Sequence, residues 1–175
     1  METVTIRDAR TGDLDAIADL QARAIMTFGI ETYGQTACEA WARLGRQMRH
    51  RLLASGSFFV AEGRDGLVGV AGWTADSRDP DCAWPRYVFV APEAAGHGIG
   101  RRLMEIIERS ALEAARPRLR LWSSLNAVAF YRALGYDEVK PARWPVAEGI
   151  EMEHRLMEKR AAPSACDRRS RVIAS

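Results

Sequence analysis

The sequence predicts a single mixed α/β (α+β) domain, and three observations carry that expectation. At 175 residues with 47% hydrophobic content, the chain can close one good core and falls in the size range of one domain rather than two. Two β-rich runs flank an Asp65-Gly66 turn, the pattern of an antiparallel hairpin. Further on, an apolar run leads through closely spaced glycines into an amphipathic helical stretch and then into another β-rich run. That order, strand then crossover helix then strand, is how parallel neighbours are joined.

Taken in order, "TVTIR" (3–7) is a short first strand. Thr11 or Asp13 then caps a helix whose Leu14, Ile17, Ala18 and Ile25 recur at helical spacing. "FGIETYGQ" (28–35), with two glycines and two aromatics, reads as a loop, and a second helix spans 37–53. "SFFVAEG" (57–63) and "GLVGVAGWTA" (66–75) are the hairpin strands. "DSRDPDCAWP" (76–85) is a polar loop with two prolines, and "RYVFVAP" (86–92) is a strand apolar enough to be buried on both faces. Ile99, Leu103, Ile106, Ile107 and Ser110 or Ala111 mark one face of the next helix, which Pro117 ends. "LRLWSS" (119–124) is a strand, "NAVAFYRALGY" (126–136) a short helix stopped by Gly135, and "GIEMEHRLM" (149–157) a final, half-exposed strand. The expected domain is 1–158, with 159–175 a flexible tail lacking periodicity.

Composition narrows the function. With 25 basic against 23 acidic side chains the net charge is only +2, so nothing advertises a nucleic-acid or membrane partner, and a small ligand is the default. No apolar run approaches the roughly 20 residues of a membrane span, and "METVTIRDAR" lacks the apolar centre of a signal peptide. Three widely spaced cysteines, Cys38, Cys82 and Cys166, suit a reducing compartment, and the expected location is the cytoplasm. His50, His97 and His154 are far apart with no ligand spacing, so no metal site is expected.

The chemistry concentrates in "VAPEAAGHGIGRRLMEIIE" (90–108), where Gly96, Gly98 and Gly100 stand at the mouth of a helix. The first N–H groups of a helix have no internal partner, and with the helix dipole they attract an anion. Glycines remove the side chains that would block it. A nucleoside-triphosphate loop would end in Gly-Lys-Ser/Thr, and here Arg101 and Arg102 follow. A dinucleotide fingerprint needs a different glycine spacing and an acidic end to the next strand, which instead finishes at Ser123 and Ser124.

The stretch "VAPEAAGHGIGRRLM" resembles the acetyl-coenzyme A signature of the GNAT superfamily of N-acetyltransferases, and "LWSSLNAVAFYRALGY" resembles that family's second signature, in the right order and separation. The resemblance covers about residues 3–157. It implies a mostly antiparallel central sheet of six to seven strands, flanked by about four helices, with a splayed central parallel pair. It also implies acetyl-coenzyme A as cosubstrate and a primary amine of a small molecule or peptide as acceptor, with direct transfer between them. A non-catalytic acyl-coenzyme A binding or sensing module is the alternative, and a homodimer is an option that no particular residue specifies.

Carried over residue by residue, the resemblance makes Tyr131 the general acid for the departing thiolate. It gives the cofactor arm to the backbone of Phe89 and Val90, with Asn126 and Phe130 beside it. The diphosphate falls to Ala95, Gly96, His97, Gly98, Ile99, Gly100 and Arg101. The family's usual Gln or Arg is Ala95 here, which removes one phosphate contact. Asn126 is also the expected N-cap of its helix. For the base, Glu62 or Asp81 is expected, with Asp79 and Glu93 as further carboxylates near strand ends. Phe28, Glu31, Tyr33 and Trp84 are expected to shape the acceptor pocket, and Trp41 and Trp73 to serve as wall or core.

Overall fold

The computed structural model describes residues 4–52 and 56–161. Seven strands form one sheet: β1 (Thr5–Asp8), β2 (Gly56–Gly63), β3 (Gly66–Ala75), β4 (Cys82–Val90), β5 (Arg118–Ser124), β6 (Asp137–Ala147) and β7 (Ile150–Arg160). Their order across the sheet is β1-β2-β3-β4-β5-β7-β6, and every neighbouring pair is antiparallel except β4 and β5. The helices are α1 (Leu14–Phe28), α2 (Ile30–Tyr33), α3 (Gln35–Leu52), α4 (Ile99–Glu113) and α5 (Val128–Ala133).

Alternation on the hairpin strands decides what covers each face. Phe58, Val60 and Val70 point to one side and bury with Ile17 and Leu20 of α1. Ala61, Ala71 and Trp73 point to the other and bury with Leu103 and Ile107 of α4. The α4 face is lined with small residues because the helix lies close: a Cβ added at Gly69 would stand 2.9 Å from Leu103 Cδ1. Arg7 holds the entry to α1, its guanidinium reaching both Asp13 carboxylate oxygens at 2.7 and 2.9 Å. Asp13 also accepts the Arg10 N–H at 2.7 Å, so it organises the helix start without taking the expected cap bond.

The parallel pair opens almost as soon as it forms. Only Cys82↔Arg118 and Ala83↔Leu119 are in register. On the other side of β4, Val70 pairs with Phe89 and Gly72 with Arg86, so Tyr87 and Val88 together oppose Ala71. This is a β-bulge, and Tyr87 makes it by adopting φ 55, left-handed for a non-glycine residue. The bulge turns the end of β4 away from β5 and leaves a cleft in the middle of the sheet.

Four expectations need correction. The 28–35 loop contains a one-turn helix, α2. β4 begins at Cys82, inside the stretch read as loop, because Ala83 and Trp84 already pair with Ala75 and Thr74. Its residues 87–90 are half-buried rather than covered on both faces, since they border the cleft. The last strand is half-exposed as expected, but a strand that the sequence did not suggest, β6, lies outside it, and Pro141 and Pro145, which argue against a strand in sequence, are tolerated at that edge. β7 runs from Ile150 to Arg160, three residues past the expected strand end at Met157. Residues 162–175, where most of the expected tail falls, lie outside the described residues.

Candidate functional site

β4 ends at Val90, a 3-10 turn follows over Pro92–Ala94, and α4 begins at Ile99. The reversal between them needs left-handed backbone at Gly96 (φ 79) and Gly98 (φ 76), where a side chain would be strained. Gly100 serves a different purpose: its added Cβ would lie 3.2 Å from Phe130 Cζ, so its absence lets α5 close on α4. The first backbone bond of the helix is Arg102 N–H to Gly98 O at 3.0 Å. The N–H groups of Gly98 to Arg101 precede that bond and have no partner within the helix.

In front of them lies a cavity of about 570 Å³. Its walls bring together Phe89 and Val90 of β4, Ala95, Gly96, Gly98, Ile99, Gly100 and Arg101 of the turn, and Asn126, Phe130 and Tyr131 from the α5 side. A second cavity of about 390 Å³ opens on the other side of the cleft, lined from β4 by Trp84, Arg86 and Val88, from β5 by Trp122, from β6 by Trp144 and from β7 by His154. Trp41, Val88, Phe89, Ser124, Ala127 and Tyr131 line both. Tyr131 therefore stands where the two spaces meet.

Tyr131 is buried at 7% exposure, edge-on to Phe130 and Tyr136. Among the described residues none hydrogen-bonds its hydroxyl. Burial pushes its phenol well above the ordinary tyrosine range, so it holds its proton at neutral pH. His154 is half-buried between Tyr33, stacked at 6.3 Å, and the edge-on ring of Trp41. Its Nδ1 lies 3.0 Å from Met152 O. A carbonyl only accepts, so Nδ1 carries the hydrogen and Nε2 keeps its lone pair. Burial pulls His154 below the usual histidine value, against a smaller upward push from that carbonyl. The ring is a neutral acceptor at pH 7.

The wall of the smaller cavity is a tryptophan row. Trp84 stacks on Trp122 at 6.4 Å and 18°, and Trp122 meets Trp144 edge-on at 5.3 Å. Asp76 fixes the first ring by accepting the Trp84 Nε1–H at 2.7 Å.

Several expected residues fall elsewhere. Glu62 lies on β2 beside the β1 edge, ion-paired to Arg7 at 2.8 Å. Asp81 is exposed before β4, at the end where β4 and β5 are still paired. Asp79 pairs with Arg118, and Glu93 with Arg23. None of these carboxylates lines either cavity. Glu31 is exposed on α2 and lines neither. Tyr33 is a tie instead: its hydroxyl accepts the Leu125 N–H at 2.6 Å and donates to Glu153 O at 2.7 Å. Phe28 borders the larger cavity and not the smaller one, which Trp84 lines. His97 is exposed and lines neither cavity. Asn126 sits inside the 3-10 turn Leu125–Ala127, and Ala127 takes the cap position of α5. Trp73 is core, its Nε1–H donating to Ser110 Oγ at 3.0 Å, while Trp41 is wall. Cys82 is buried, and burial raises its thiol, which leaves it a poor nucleophile. Gln21, Arg86, Trp122, Trp144 and His154 are among the lining residues that sequence reasoning did not select.

A central sheet split at one parallel pair, with an amide-lined helix start facing the split, defines the GNAT fold class. Residues 54–138 match the family model of the acetyltransferase (GNAT) domain. An uncharacterized N-acetyltransferase of Methanocaldococcus jannaschii is 28% identical over 145 residues, 79% of this chain and 62% of that relative. The match thus covers less than two thirds of that relative's length. A GCN5-related N-acetyltransferase from Rhodopseudomonas palustris has a TM-score of 0.80 at 22% identity, covering 91% of this chain and 97% of that one. A PaiA N-acetyltransferase of Thermoplasma acidophilum, in complex with coenzyme A, has a TM-score of 0.73 at 18% identity, over 90% and 99%. Residues 54–138 thus match a GNAT acetyltransferase domain, and the fold is the one shared by these N-acetyltransferases, a family that uses acetyl-coenzyme A as cosubstrate. No helix among the described residues is long and apolar enough to cross a membrane.

Proposed function

We propose that the chain is an N-acetyltransferase that moves an acetyl group from acetyl-coenzyme A directly to a primary amine. The observation that carries this reading is the junction: Tyr131 borders both an amide-rimmed cavity and a separate aromatic one. The larger cavity fits the cosubstrate, because side chains are missing at its rim where an anion must approach: nothing stands within 4 Å of a Cβ added at Gly96 or Gly98.

When bound, the cosubstrate supplies an acetyl group on sulfur as a thioester. The N–H groups of residues 96–101 and the Arg101 guanidinium favour its diphosphate. Ala95 contributes no donor, so the main chain carries that task with Arg101. Beyond the bulge, the backbone of Val88 to Val90 is free of β5 and holds the amide-bearing arm, with one N–H of Phe89 or Val90 polarising the carbonyl. His154, in place of Glu62 or Asp81, takes the proton that the amine sheds as its nitrogen bonds the carbonyl carbon, directly or through one water. Tyr131 gives its hydroxyl proton to the sulfur as the carbon–sulfur bond breaks. A proton then passes through solvent from the imidazolium to the tyrosinate, and both side chains return to their starting states.

Calorimetric titration with acetyl-coenzyme A tests the first half, with saturable heat expected at sub-millimolar ligand. A thiol-release assay over a broad amine panel tests the second. No heat from folded protein removes the reading, and binding without thiol release on any amine reduces the chain to a binding module.

A further inference from the structure

The smaller cavity is lined by four of the chain's five tryptophans, Trp41, Trp84, Trp122 and Trp144. Among the described residues that line it there is no aspartate or glutamate, and its one permanently charged side chain is Arg86. Two carboxylates beside the lining residues are engaged elsewhere: Asp76 accepts the Trp84 indole N–H, and Glu153 pairs with Arg155. Arg86 has no carboxylate partner among the described residues. Its guanidinium carbon stands 5.6 Å from the centre of the Trp84 ring, which orients it without neutralising it. Across the cavity Gln21 is 4% exposed, and its amide has no hydrogen-bond partner among the described residues. A buried neutral amide and an exposed, unneutralised guanidinium that border the same apolar space are arranged for a partner that brings negative charge.

We propose that this cavity selects amines that also carry a carboxylate and a flat apolar group, the simplest being an aromatic α-amino acid. Arg86 and Gln21 take the carboxylate end, Trp122 and Trp144 take the flat group, and the amine is left facing Tyr131 and His154. An aromatic cage for a polycation is the competing use of so many indoles. Here, however, Trp84 already has a cation at its face and Trp122 packs on its ring. A second cation beside Arg86 would also be repelled. The volume, about 390 Å³, is at the small-molecule end of ligand pockets.

The inference rests on the acetyl-transfer reading, so the experiment separates the two. Binding of acetyl-coenzyme A is first established by calorimetry, which speaks only to that reading. Thiol release is then compared for L-phenylalanine, L-phenylalanine amide, phenethylamine and spermidine. The expected kcat/KM for L-phenylalanine exceeds that for the amide and for phenethylamine by about ten- to a hundredfold, the scale of one charge-assisted contact. In R86Q that ratio falls toward one, and quenching of the intrinsic tryptophan fluorescence by L-phenylalanine shifts to higher concentration by a similar factor. Equal rates for the acid and its amide, a preference for spermidine, or an unchanged ratio in R86Q each overturns the carboxylate assignment while the transfer reading stands.

Discussion

The larger cavity is made of main chain and the smaller one of side chains. Around the first, the contributing groups are N–H donors exposed by Gly96 and Gly98 and by the opened end of β4. Around the second they are indoles, an imidazole, a guanidinium and an amide converging from α1, α3 and four strands. Backbone chemistry is the same in every residue, so the first site can serve one shared ligand across very different chains. Side-chain chemistry is particular, so under the proposed function the second is where an acceptor is chosen. The difference predicts two kinds of variant: those at the cradle should weaken transfer to every amine alike, and those at the aromatic wall should change which amine is used.

The largest expected effect falls at the junction and belongs to neither kind. Replacing Tyr131 by Phe removes a proton donor and little else, because no described residue depends on that hydroxyl. Turnover should drop by about 10²–10⁴ with every acceptor, while calorimetric affinity for acetyl-coenzyme A stays within about twofold. An unchanged kcat would remove the acid role. Because burial raises this phenol, no loss of rate through Tyr131 is expected at any pH below the ordinary tyrosine value of about 10.

His154 comes next. Its active form is the neutral ring and burial lowers its pKa, so activity is present above that pKa and is lost as pH falls through it. The sign follows from the direction of the shift: the acid limb of kcat/KM should lie below the ordinary histidine value of about 6.5. The other groups around the ring do not titrate there, since Tyr33 is raised by burial and Glu153 is held low by Arg155. H154Q should cost about a hundredfold in kcat/KM and remove that limb. A profile of the same shape in the variant would assign the limb to another group.

These two residues also mark how far the amino-acid sequence alone reaches. The hairpin, the crossover and the glycine turn could be read because each is a local requirement: a φ of 79 or 76 at Gly96 and Gly98 admits little but glycine. Tyr131 could be read because it lies in a motif with fixed spacing. The bulge could not, since Tyr87 at φ 55 is an unusual residue for that conformation and leaves no compositional trace. β6 was hidden by Pro141 and Pro145, which only its edge position excuses. His154 looked like one more inward position on an alternating strand, and Tyr33 finds its partners 92 and 120 residues away. Such groups meet only when the sheet order β5-β7-β6 has formed.

A cradle variant gives the sharper half of the comparison. In G98A the methyl group meets no neighbour within 4 Å, so the cost is conformational, about 1–2 kcal/mol for leaving the left-handed region to a residue with a Cβ. For a chain of this length that is roughly 2–8 °C in Tm. The same methyl stands in the mouth of the larger cavity, and the affinity for acetyl-coenzyme A should fall by about tenfold, scaling down transfer to all acceptors without reordering them. A change in acceptor preference in G98A would mean that the two cavities are not separate in function.

The smallest effect is expected at Tyr33, which touches the wall without lining it. Its hydroxyl joins α2 to the start of the 3-10 turn after β5 and to β7, and its ring supports His154. Y33F keeps the ring contact and removes both hydrogen bonds, leaving the Leu125 N–H and Glu153 O to find water. The cost is about 1–2 kcal/mol, or roughly 2–8 °C in Tm, read by calorimetric melting. Because the tie positions His154 and not the glycine turn, acetyl-coenzyme A affinity should hold while the KM of the amine rises a few-fold. Equal losses of both affinities would show that the strand β7 and the α4 start respond as one body, and the division between a general backbone site and a particular side-chain site would then not extend to their mechanics.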